Sequence, residues 1–500
     1  MNRWPVILLL ALLPLVAGAQ GYDEVLERNF WNSGRNAAGL RKDSLSVSFA
    51  ELRGEYTAGG FRESYEAKNS FSAGATAASI KHLERVSMNG SFSFRHFEGR
   101  QMTGSMSARP GYYPIDVLEF TPGRKTRQTY SFMGGIAAEL SEHWMVGGSI
   151  DFTSENYTKR KDLRHTNYLL DLTVAPGVLW HSGDWSVGLS YFYQKTSERI
   201  TAEELGITSG VYYAFLNKGH YYGSYDIWDN SSTHLDDSAV SGFPTKEVTN
   251  GAAAQLQWRE LYADVEYGHS EGESGEKQRI WYRFPGDHIA ASAGWKLASD
   301  RFTHYLSGSF LWRKQKNREA VLENVTENGV TTTVDYGSNT IFMREFTALS
   351  LQWKATGERL RMTAGAEWDT EKEVSSIQFP YLYTHKSHEM TIFAAAGLEL
   401  GSWEIEMGLC WEKGFTKDDS RSADEEIEAG DEPYLLEEYH EMEEEYCRAA
   451  KYELEFSLKY NFSHGIYIGA DLRGTLAVGS IKWLPGRSRL TSGIFVGYNF

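Results

Sequence analysis

The sequence predicts an all-β protein, a single transmembrane antiparallel β-barrel of about 16–18 strands with long extracellular loops. Three observations support this prediction. Apolar and polar residues alternate along most of the chain, short and long connections alternate between the alternating stretches, and 14% aromatic content accompanies a mean hydropathy of −0.45. A hydrophilic average with abundant aromatic residues is expected where apolar side chains occupy every second position.

The alternating stretches are ten to twelve residues long. KYELEFSLKYNF (451–462), LRMTAGAEWD (360–369) and WEIEMGLCWE (403–412) each place apolar and polar residues on opposite faces of a strand. A soluble β-sandwich also alternates. The length of these stretches, their mid-strand charges and the aromatic residues at their ends favour a tilted strand that crosses a bilayer.

The connections between strands also follow a pattern. Short turns are predicted at 141–144, 182–185, 298–301, 355–358, 401–403 and 463–465, and long connections at 100–125, 199–246, 316–339 and 418–446. Outer-membrane barrels have short periplasmic turns and long extracellular loops. From the first alternating run, near Ser44, to Phe500 we count eighteen strands, with sixteen as the alternative.

The chain divides into three parts. Residues 1–19 have a basic residue, an apolar core and the small-residue site Ala17-Gly18-Ala19, which together predict a secretory signal peptide and Sec-dependent export. Residues 20–42 form either a lumenal plug or a disordered periplasmic lead. Residues 43–500 form the barrel, in the outer membrane of a Gram-negative bacterium.

Three stretches, WNSGRNAAGL (31–40), FRESYEAKNSFSAG (61–74) and PGYYPIDVLEFTPGRKTRQTYSFMGGI (110–136), are similar to a Bacteroidota family of outer-membrane β-barrels of unassigned function. The resemblance runs through the whole mature chain. It implies the barrel fold and the outer-membrane location, and an accessory role in uptake, because some members are encoded beside TonB-dependent transporters. NAAGL also resembles the N-terminal Asn-Pro-Ala-Gly signature of FadL-like barrels, with Ala37 in place of proline.

Charged residues on the polar faces of the strands are expected to line the lumen. A charge on the lipid face would cost about 2–4 kcal/mol at the bilayer midplane. The predicted lumen-lining residues are Arg361, Glu367, Glu404, Glu406, Glu453, Glu455, Lys459, Asp471 and Arg473. Their charges either face a water-filled channel or pair across a plugged interior.

The stretch 418–446 holds fourteen Asp or Glu residues and one Arg, so it carries most of the formal charge of −17. Such a loop could gather cations through carboxylate oxygens, and the weak candidate ligands are Asp424, Glu425, Glu426, Glu428, Asp431 and Glu432. No calcium-loop spacing is present, and a solvated loop of self-repelling charges is the favoured interpretation.

Two other groups of side chains could have a chemical role. Tyr212, Tyr213, Tyr221, Tyr222, Tyr225 and Trp228 could bind a ligand at the surface or pack their long loop into a lid. His234 beside Asp236 and Asp237 is the only suggestion of a hydrolytic site, and no nucleophile motif accompanies it. The protein is therefore predicted not to be an enzyme, to need no cofactor and to bind no nucleic acid.

Two short features complete the predictions. Cys410 and Cys447 flank the acidic stretch and either form one bridge or stay unpaired. TSGIFVGYNF (491–500) is predicted as the last strand, with Tyr498 and Phe500 facing lipid as an insertion signal for the barrel-assembly machinery.

The sequence therefore favours a passive channel, or an accessory subunit in the uptake of small solutes. A plugged barrel that binds a TonB-dependent transporter or a surface lipoprotein is the alternative.

Overall fold

The computed structural model describes residues 22, 25, 26, 28–161, 163–203, 214–219, 225–228, 242–276, 279–375, 382–421 and 436–500. The predicted signal peptide lies outside the described residues. No helix within these ranges is long and apolar enough to cross a membrane.

Eighteen antiparallel strands close into one barrel, so the sixteen-strand alternative is wrong. The strands of the wall are β1 (Val47–Gly59), β2 (Asn69–His82), β3 (Val86–Ser105), β4 (Asp116–Glu139), β5 (Trp144–Lys159), β6 (Arg164–Ser182), β7 (Trp185–Glu203), β10 (Phe243–Trp258), β11 (Leu261–Glu276), β12 (Arg279–Ala298), β13 (Phe302–Glu327), β14 (Val330–Gly357), β15 (Leu360–Ser375), β16 (Tyr383–Leu400), β17 (Trp403–Arg421), β18 (Ala450–Asn461), β19 (Ile466–Val478) and β20 (Ser488–Asn499). Two further short strands, β8 (Ala214–Asn217) and β9 (Tyr225–Trp228), form a hairpin outside the ring of eighteen, in which β8 pairs with the first four residues of β4.

Each wall strand pairs with the next along the chain, and β7 pairs with β10 across the hairpin. The barrel closes where β1 pairs with β20, with Leu52 opposite Val496 and Tyr56 opposite Ser492. Closure is required because every backbone N–H and C=O in hydrocarbon needs a partner within the protein.

The two ends of the barrel differ as the sequence predicted. At one end, the short-turn end, the connections have two to four residues, namely 83–85, 140–143, 183–184, 259–260, 299–301, 358–359, 401–402 and 462–465. The start of β1 and the end of β20 lie at this end as well. The other end, the long-loop end, carries the longer connections, and in outer-membrane barrels that end is extracellular.

The predicted long connections are shorter than expected, because the strands continue beyond the length that a membrane needs. Residues 316–339 belong to β13 and β14, which are joined by Asn328 and Gly329 with φ of 53° and 77°. Two successive positive φ values are typical of a tight hairpin turn. The acidic stretch likewise contains the end of β17 and the helix α1 (Leu436–Arg448).

The two faces of the wall have opposite chemistry. Ile494 and Leu351 on the outer face are each 70% exposed. Phe495, which follows Ile494 in β20 and points inward, is 2% exposed. At the short-turn end the rings of Trp185 and Trp258 stack at 5.9 Å on the outside. An apolar outer band with aromatic residues at its border is the expected lipid face of a barrel.

Three segments lie inside the barrel. The floor segment (28–42) contains two short 3₁₀ turns, Phe30–Ser33 and Ala37–Lys42. The inward loop (106–115) joins β3 to β4, and α1 joins β17 to β18. Together with the lumen-facing side chains of the strands, these segments form the candidate site.

Candidate functional site: the barrel lumen

The floor segment is held by both apolar and polar contacts with the wall. Trp31 is 2% exposed, its ring lies 5.4 Å from that of Tyr262, and its Nε1 donates to Gln257 Oε1 at 2.5 Å. The side-chain amide of Asn36 donates to the Val178 carbonyl at 3.0 Å and to Gln255 Oε1 at 3.1 Å. The segment therefore crosses the lumen at the short-turn end and contacts β6, β10 and β11.

Glycines in the wall leave room for the floor segment. A Cβ at Gly147 would lie 2.4 Å from the Ala38 backbone nitrogen, and one at Gly177 would lie 2.2 Å from Asn36 Oδ1. Both distances are shorter than a van der Waals contact, so no larger residue fits without a shift. The floor segment therefore accounts for glycine at these two inward-facing positions of β5 and β6.

Charges anchor the same segment. Arg35 Nε lies 2.6 Å from Glu266 Oε2, and its guanidinium carbon lies 4.2 Å from the centre of the Phe192 ring. Arg41 pairs with Glu139 and donates to Ser87 Oγ at 3.1 Å. Both arginines thus neutralise lumenal carboxylates.

The inward loop lies against the β5–β7 and β10 side of the lumen. It belongs to the stretch 100–125, which was predicted as a long connection. Arg109 NH1 lies 2.5 Å from Asp171 Oδ2, and the Ala108 backbone N–H and Ser107 Oγ both donate to Glu198 at 2.7 Å. The loop therefore narrows the lumen.

A phenol in the inward loop reaches further across the lumen. Tyr112 donates its hydroxyl to Glu247 at 3.1 Å. Burial, followed by the charge of Glu247, raises the pKa of Tyr112. The phenol consequently stays protonated and keeps its role as donor.

A fully buried ion cluster supports the base of the inward loop. Lys125 and Lys159 lie 3.0 and 2.9 Å from the two carboxylate oxygens of Glu119, and all three side chains are 0% exposed. Breaking such a cluster leaves an uncompensated buried charge and typically costs about 3–5 kcal/mol. The sequence analysis missed this cluster. The alternation was a signal for Lys125 and Lys159 as inward residues, but not for their shared partner.

All nine predicted lumen-lining residues lie on the inward face of their strands, and most of them are paired. Near the short-turn end Lys459 Nζ lies 2.9 Å from Glu404 Oε1, and Arg361 lies 3.8 Å from the same carboxylate. Arg53, which was not predicted, lies 2.5 Å from Asp471. The charges therefore form ion pairs between neighbouring strands.

The remaining predicted residues of this group continue towards the long-loop end. Arg473 pairs with Glu455 and lies 3.7 Å from Glu453. Glu367, Glu453, Glu455 and Arg473 line a cavity, whereas Glu406 lies one residue pair below its floor in β17. The wall from β15 to β19 is consequently lined with charged side chains.

Helix α1 lies across the long-loop end. Tyr439 packs its ring 5.2 Å from that of Phe120, and Tyr446 stacks on Phe61 at 4.8 Å. A Cβ at Gly104, whose φ is +76°, would lie 2.2 Å from the Tyr439 hydroxyl. Both the backbone conformation and the close approach require glycine there.

Three consecutive glutamates of α1 bind the rest of the protein. Glu443 accepts a hydrogen bond from the Ser64 backbone N–H at 3.2 Å. Glu445 accepts from the backbone N–H groups of residues 482, 483 and 484 at 2.6 to 2.7 Å. The prediction of a solvated loop is therefore wrong for this part of the acidic stretch.

Glu444 is the most strongly held of the three. Its carboxylate lies 3.0 Å from His385 Nε2 and 2.9 Å from Arg448 NH2, and it accepts a hydrogen bond from Thr416 Oγ1 at 2.8 Å. Burial opposes ionisation, but His385, Thr416 and Arg448 outweigh it and lower the pKa of Glu444 to about 2. The carboxylate is thus ionised at neutral pH.

A cavity of about 500 Å³ lies beneath α1, against the β15–β19 wall. Its lining contains eight carboxylates and three basic side chains. Aromatic rings of Phe346, Phe393 and Tyr446 complete the lining. This volume is in the range of small-molecule sites.

The two cysteines line this cavity and are not bonded to each other. The carbonyl of Cys447 lies beside Gly414, which is four residues from Cys410 along β17. Four residues of strand span roughly 13 Å, well beyond the separation of about 7 Å that a disulfide permits. The bridge that the sequence left open does not form in this structure.

The other predicted site residues are partly outside the described residues. This applies to the six candidate cation ligands in 424–432, to Tyr212, Tyr213, Tyr221 and Tyr222, and to His234 with its two aspartates. Tyr225 and Trp228 are the first and last residues of β9. Within the part of the chain that is described, no group of three or more His, Cys, Asp or Glu residues could hold a metal ion.

Tyr498 and Phe500 lie on the outer face at the short-turn end, 41% and 75% exposed, with their rings 4.8 Å apart. The Phe500 backbone N–H donates to the Ser48 carbonyl at 2.9 Å. Both residues therefore lie at the junction between β20 and β1.

Comparison with known proteins gives a family and a set of similar folds. A family model described as "Family of unknown function (DUF6850)" matches residues 37–500. No curated protein matches the sequence.

The solved structures that are similar include the outer membrane transporter YddB from Escherichia coli, with 8% identity and a TM-score of 0.45 over 92% of this chain and 81% of that one. The FrpB iron transporter of Neisseria meningitidis has 11% identity and a TM-score of 0.43 over 93% and 83%. OccAB3 of Acinetobacter baumannii has 11% identity and a TM-score of 0.35 over 91% and 99%.

Proposed function

The chain belongs to this family of unknown function, and we propose that it is an outer-membrane channel for small polar solutes. The observation that carries the proposal is the polar cavity beneath α1. The floor segment and the inward loop occupy mainly the β4–β7 and β10–β13 side of the lumen. The β15–β19 wall is left as the side along which a solute passes.

Ion pairs on that wall support passage over simple packing. Inward residues from β15, β17, β18 and β19 are charged from the short-turn end to the cavity. Apolar side chains would fill a lumen that served only as a core, whereas charged rows line water-filled barrels. In this proposal α1 partly closes the extracellular mouth, and export by the Sec pathway delivers the chain to the outer membrane.

Conductance in a planar bilayer tests the proposal. We expect discrete current steps from the purified protein, and steps at least several-fold larger from a variant in which a short Gly-Ser linker replaces residues 422–448. The excess of carboxylates in the cavity predicts that K⁺ carries more current than Cl⁻. Tight seals at all voltages from both proteins would refute a channel.

The long β13–β14 hairpin favours a second candidate function, the docking of another surface protein. The pairing of β13 with β12 ends at Glu319, and that of β14 with β15 ends at Phe342, so beyond these residues the two strands pair only with each other among the described residues. Val321, Val330 and Tyr336 are 46%, 63% and 63% exposed. The exposed edge also carries Glu323 and Glu327.

We assign this edge to a surface protein that contributes a basic, extended segment as an additional strand. Purification in mild detergent should recover a stoichiometric partner with the native chain. A variant without residues 321–336 should lose that partner and still fold. An unaccompanied native monomer would contradict docking and leave the channel proposal intact.

A further inference from the structure

The cavity beneath α1 has a strong imbalance of charge. Its eight carboxylates face only three basic side chains, and two of those are already paired, Lys451 with Glu412 and Arg473 with Glu455. The third, Arg448, lies 2.9 Å from Glu444. An enclosed space with an excess of negative charge attracts cations.

Two carboxylates in the lining form no hydrogen bond and no close ion pair with the described residues. Glu371 is only 7% exposed, lines the cavity, and makes neither a hydrogen bond nor an ion pair with the described residues. Glu367 lies four residues closer to the short-turn end on β15. It is partly buried, lines the cavity, and also makes neither a hydrogen bond nor an ion pair with the described residues. Burial of an ionised carboxylate is costly unless it is paired. The charge of Arg344 acts on Glu371 without forming an ion pair with it, so a cation in the cavity would further stabilise both ionised carboxylates.

The lining also selects between kinds of cation. A resident metal ion needs several close oxygen, nitrogen or sulfur ligands, and the described residues contain no such group of three. Aromatic rings, by contrast, alternate with the carboxylates. Phe393 lies opposite Cys410 on the inward face, and Phe346, which is 6% exposed, lies opposite Glu371 in the cavity lining. Aromatic faces and carboxylates together recognise ammonium and guanidinium groups.

We propose that the cavity beneath α1 binds a small organic cation, an amine or guanidinium on a short apolar chain, with Glu367 and Glu371 as its charge partners. The inference rests on the proposed channel only for its role in transport, because the site itself requires no conduction. The cavity volume of about 500 Å³ accommodates a linear di- or triamine.

Calorimetric titration of the purified protein in detergent with spermidine tests the site. We expect saturable binding that weakens as salt is raised, because the interaction is between charges. Glu371→Gln and Glu367→Gln should each weaken binding about 10-fold, which corresponds to about 1.4 kcal/mol, because each removes a charged acceptor of the bound cation. The matched control is Glu358→Gln, which removes the same charge from an exposed turn at the short-turn end and should bind like the native protein.

A second measurement does not depend on the folding of the glutamate variants. Cys410 lines the cavity, so a Cys447→Ser variant leaves it as the single thiol. Spermidine should slow its reaction with a maleimide several-fold, and an equal concentration of sorbitol should not.

The outcomes separate the site from the channel. Spermidine binding without current steps supports the site and refutes the channel. Current steps without spermidine binding refute the site and leave the channel. Binding that is unchanged in both glutamate variants, with no protection of Cys410, overturns the assignment.

Discussion

Glu444 joins α1 to the wall through a carboxylate that stays charged although it is buried. In the docked helix its pKa is about 2, against an ordinary value of 4.5. Its contribution to docking is therefore complete above about pH 4.5, decreases as the pH falls below that value, and is lost as the pH passes through about 2.

Glu444→Gln should loosen α1 at pH 7 by about 1.5–3 kcal/mol, because the charged acceptor of His385, Thr416 and Arg448 is lost. Faster amide hydrogen exchange over residues 439–448 would show it. Glu443 and Glu445 are present in both proteins, so the difference between native and variant isolates Glu444. Equal protection of the two proteins at pH 7 would contradict the assigned role.

Individual lumen residues were predictable, and their partners were not. The alternation of KYELEFSLKYNF is enough to place Glu453, Glu455 and Lys459 inside, because the side-chain period of a strand is two. Arg53 and Asp471, which form an ion pair at 2.5 Å, are 418 positions apart in the chain. Their contact depends on the closure of the barrel, which no local pattern reports.

Among single elements, α1 was predicted wrongly because the prediction relied on amino-acid composition. The high density of Asp and Glu indicated a solvated loop. The same stretch places Tyr439, Glu443 and Cys447 at intervals of four, the spacing of one face of a helix, and all three are buried. The helical period was the available signal. The backbone N–H groups of 482–484, which donate hydrogen bonds to Glu445, could not be identified from the sequence.

The end of the β13–β14 hairpin was also predicted as a loop, although its sequence has the pattern of strands. Its alternation continues past the membrane, and Asn328-Gly329 is a strong local signal for a two-residue turn. The prediction of a loop over 316–339 assumed that strands end at the bilayer surface. That assumption holds for lipid contact and not for backbone pairing, which continues wherever two strands remain adjacent.

For the molecule as a whole, the closing junction between β1 and β20 is the least local contact. Phe500 lies at this junction, where its backbone donates to Ser48 and its ring packs on that of Tyr498. We predict that deletion of Phe500, or Phe500→Ala, lowers the amount of assembled barrel at the cell surface several-fold.

Phe462→Ala is the matched control, because Phe462 is also an exposed ring at the short-turn end, 49% exposed, in the β18–β19 turn away from the junction. It should assemble normally. Surface labelling and the heat-dependent mobility of unboiled samples measure assembly. Normal surface levels without Phe500 would show that the residue has no part in insertion.

The architecture as a whole was predictable because it follows from two general constraints. A chain with strands of bilayer length must satisfy all its backbone groups, and it does so by closing on itself. The contents of the lumen follow from neither constraint. Whether residues 28–42 and 106–115 lie inside depends on the shapes of glycine-lined depressions such as those at Gly147 and Gly177, which exist only in the folded wall.

The floor segment also fixes the outline of the barrel. A ring of eighteen strands can flatten into an ellipse by small rotations at each seam, without breaking a single ladder hydrogen bond. Near one side Arg41 donates to Ser87 Oγ of β3 at 3.1 Å, and across the lumen the Phe30 ring lies 6.2 Å from that of Tyr305 in β13. The segment thus holds two well-separated points of the rim at a fixed distance, so the outline of the opening at the short-turn end is set by residues that are not part of the wall.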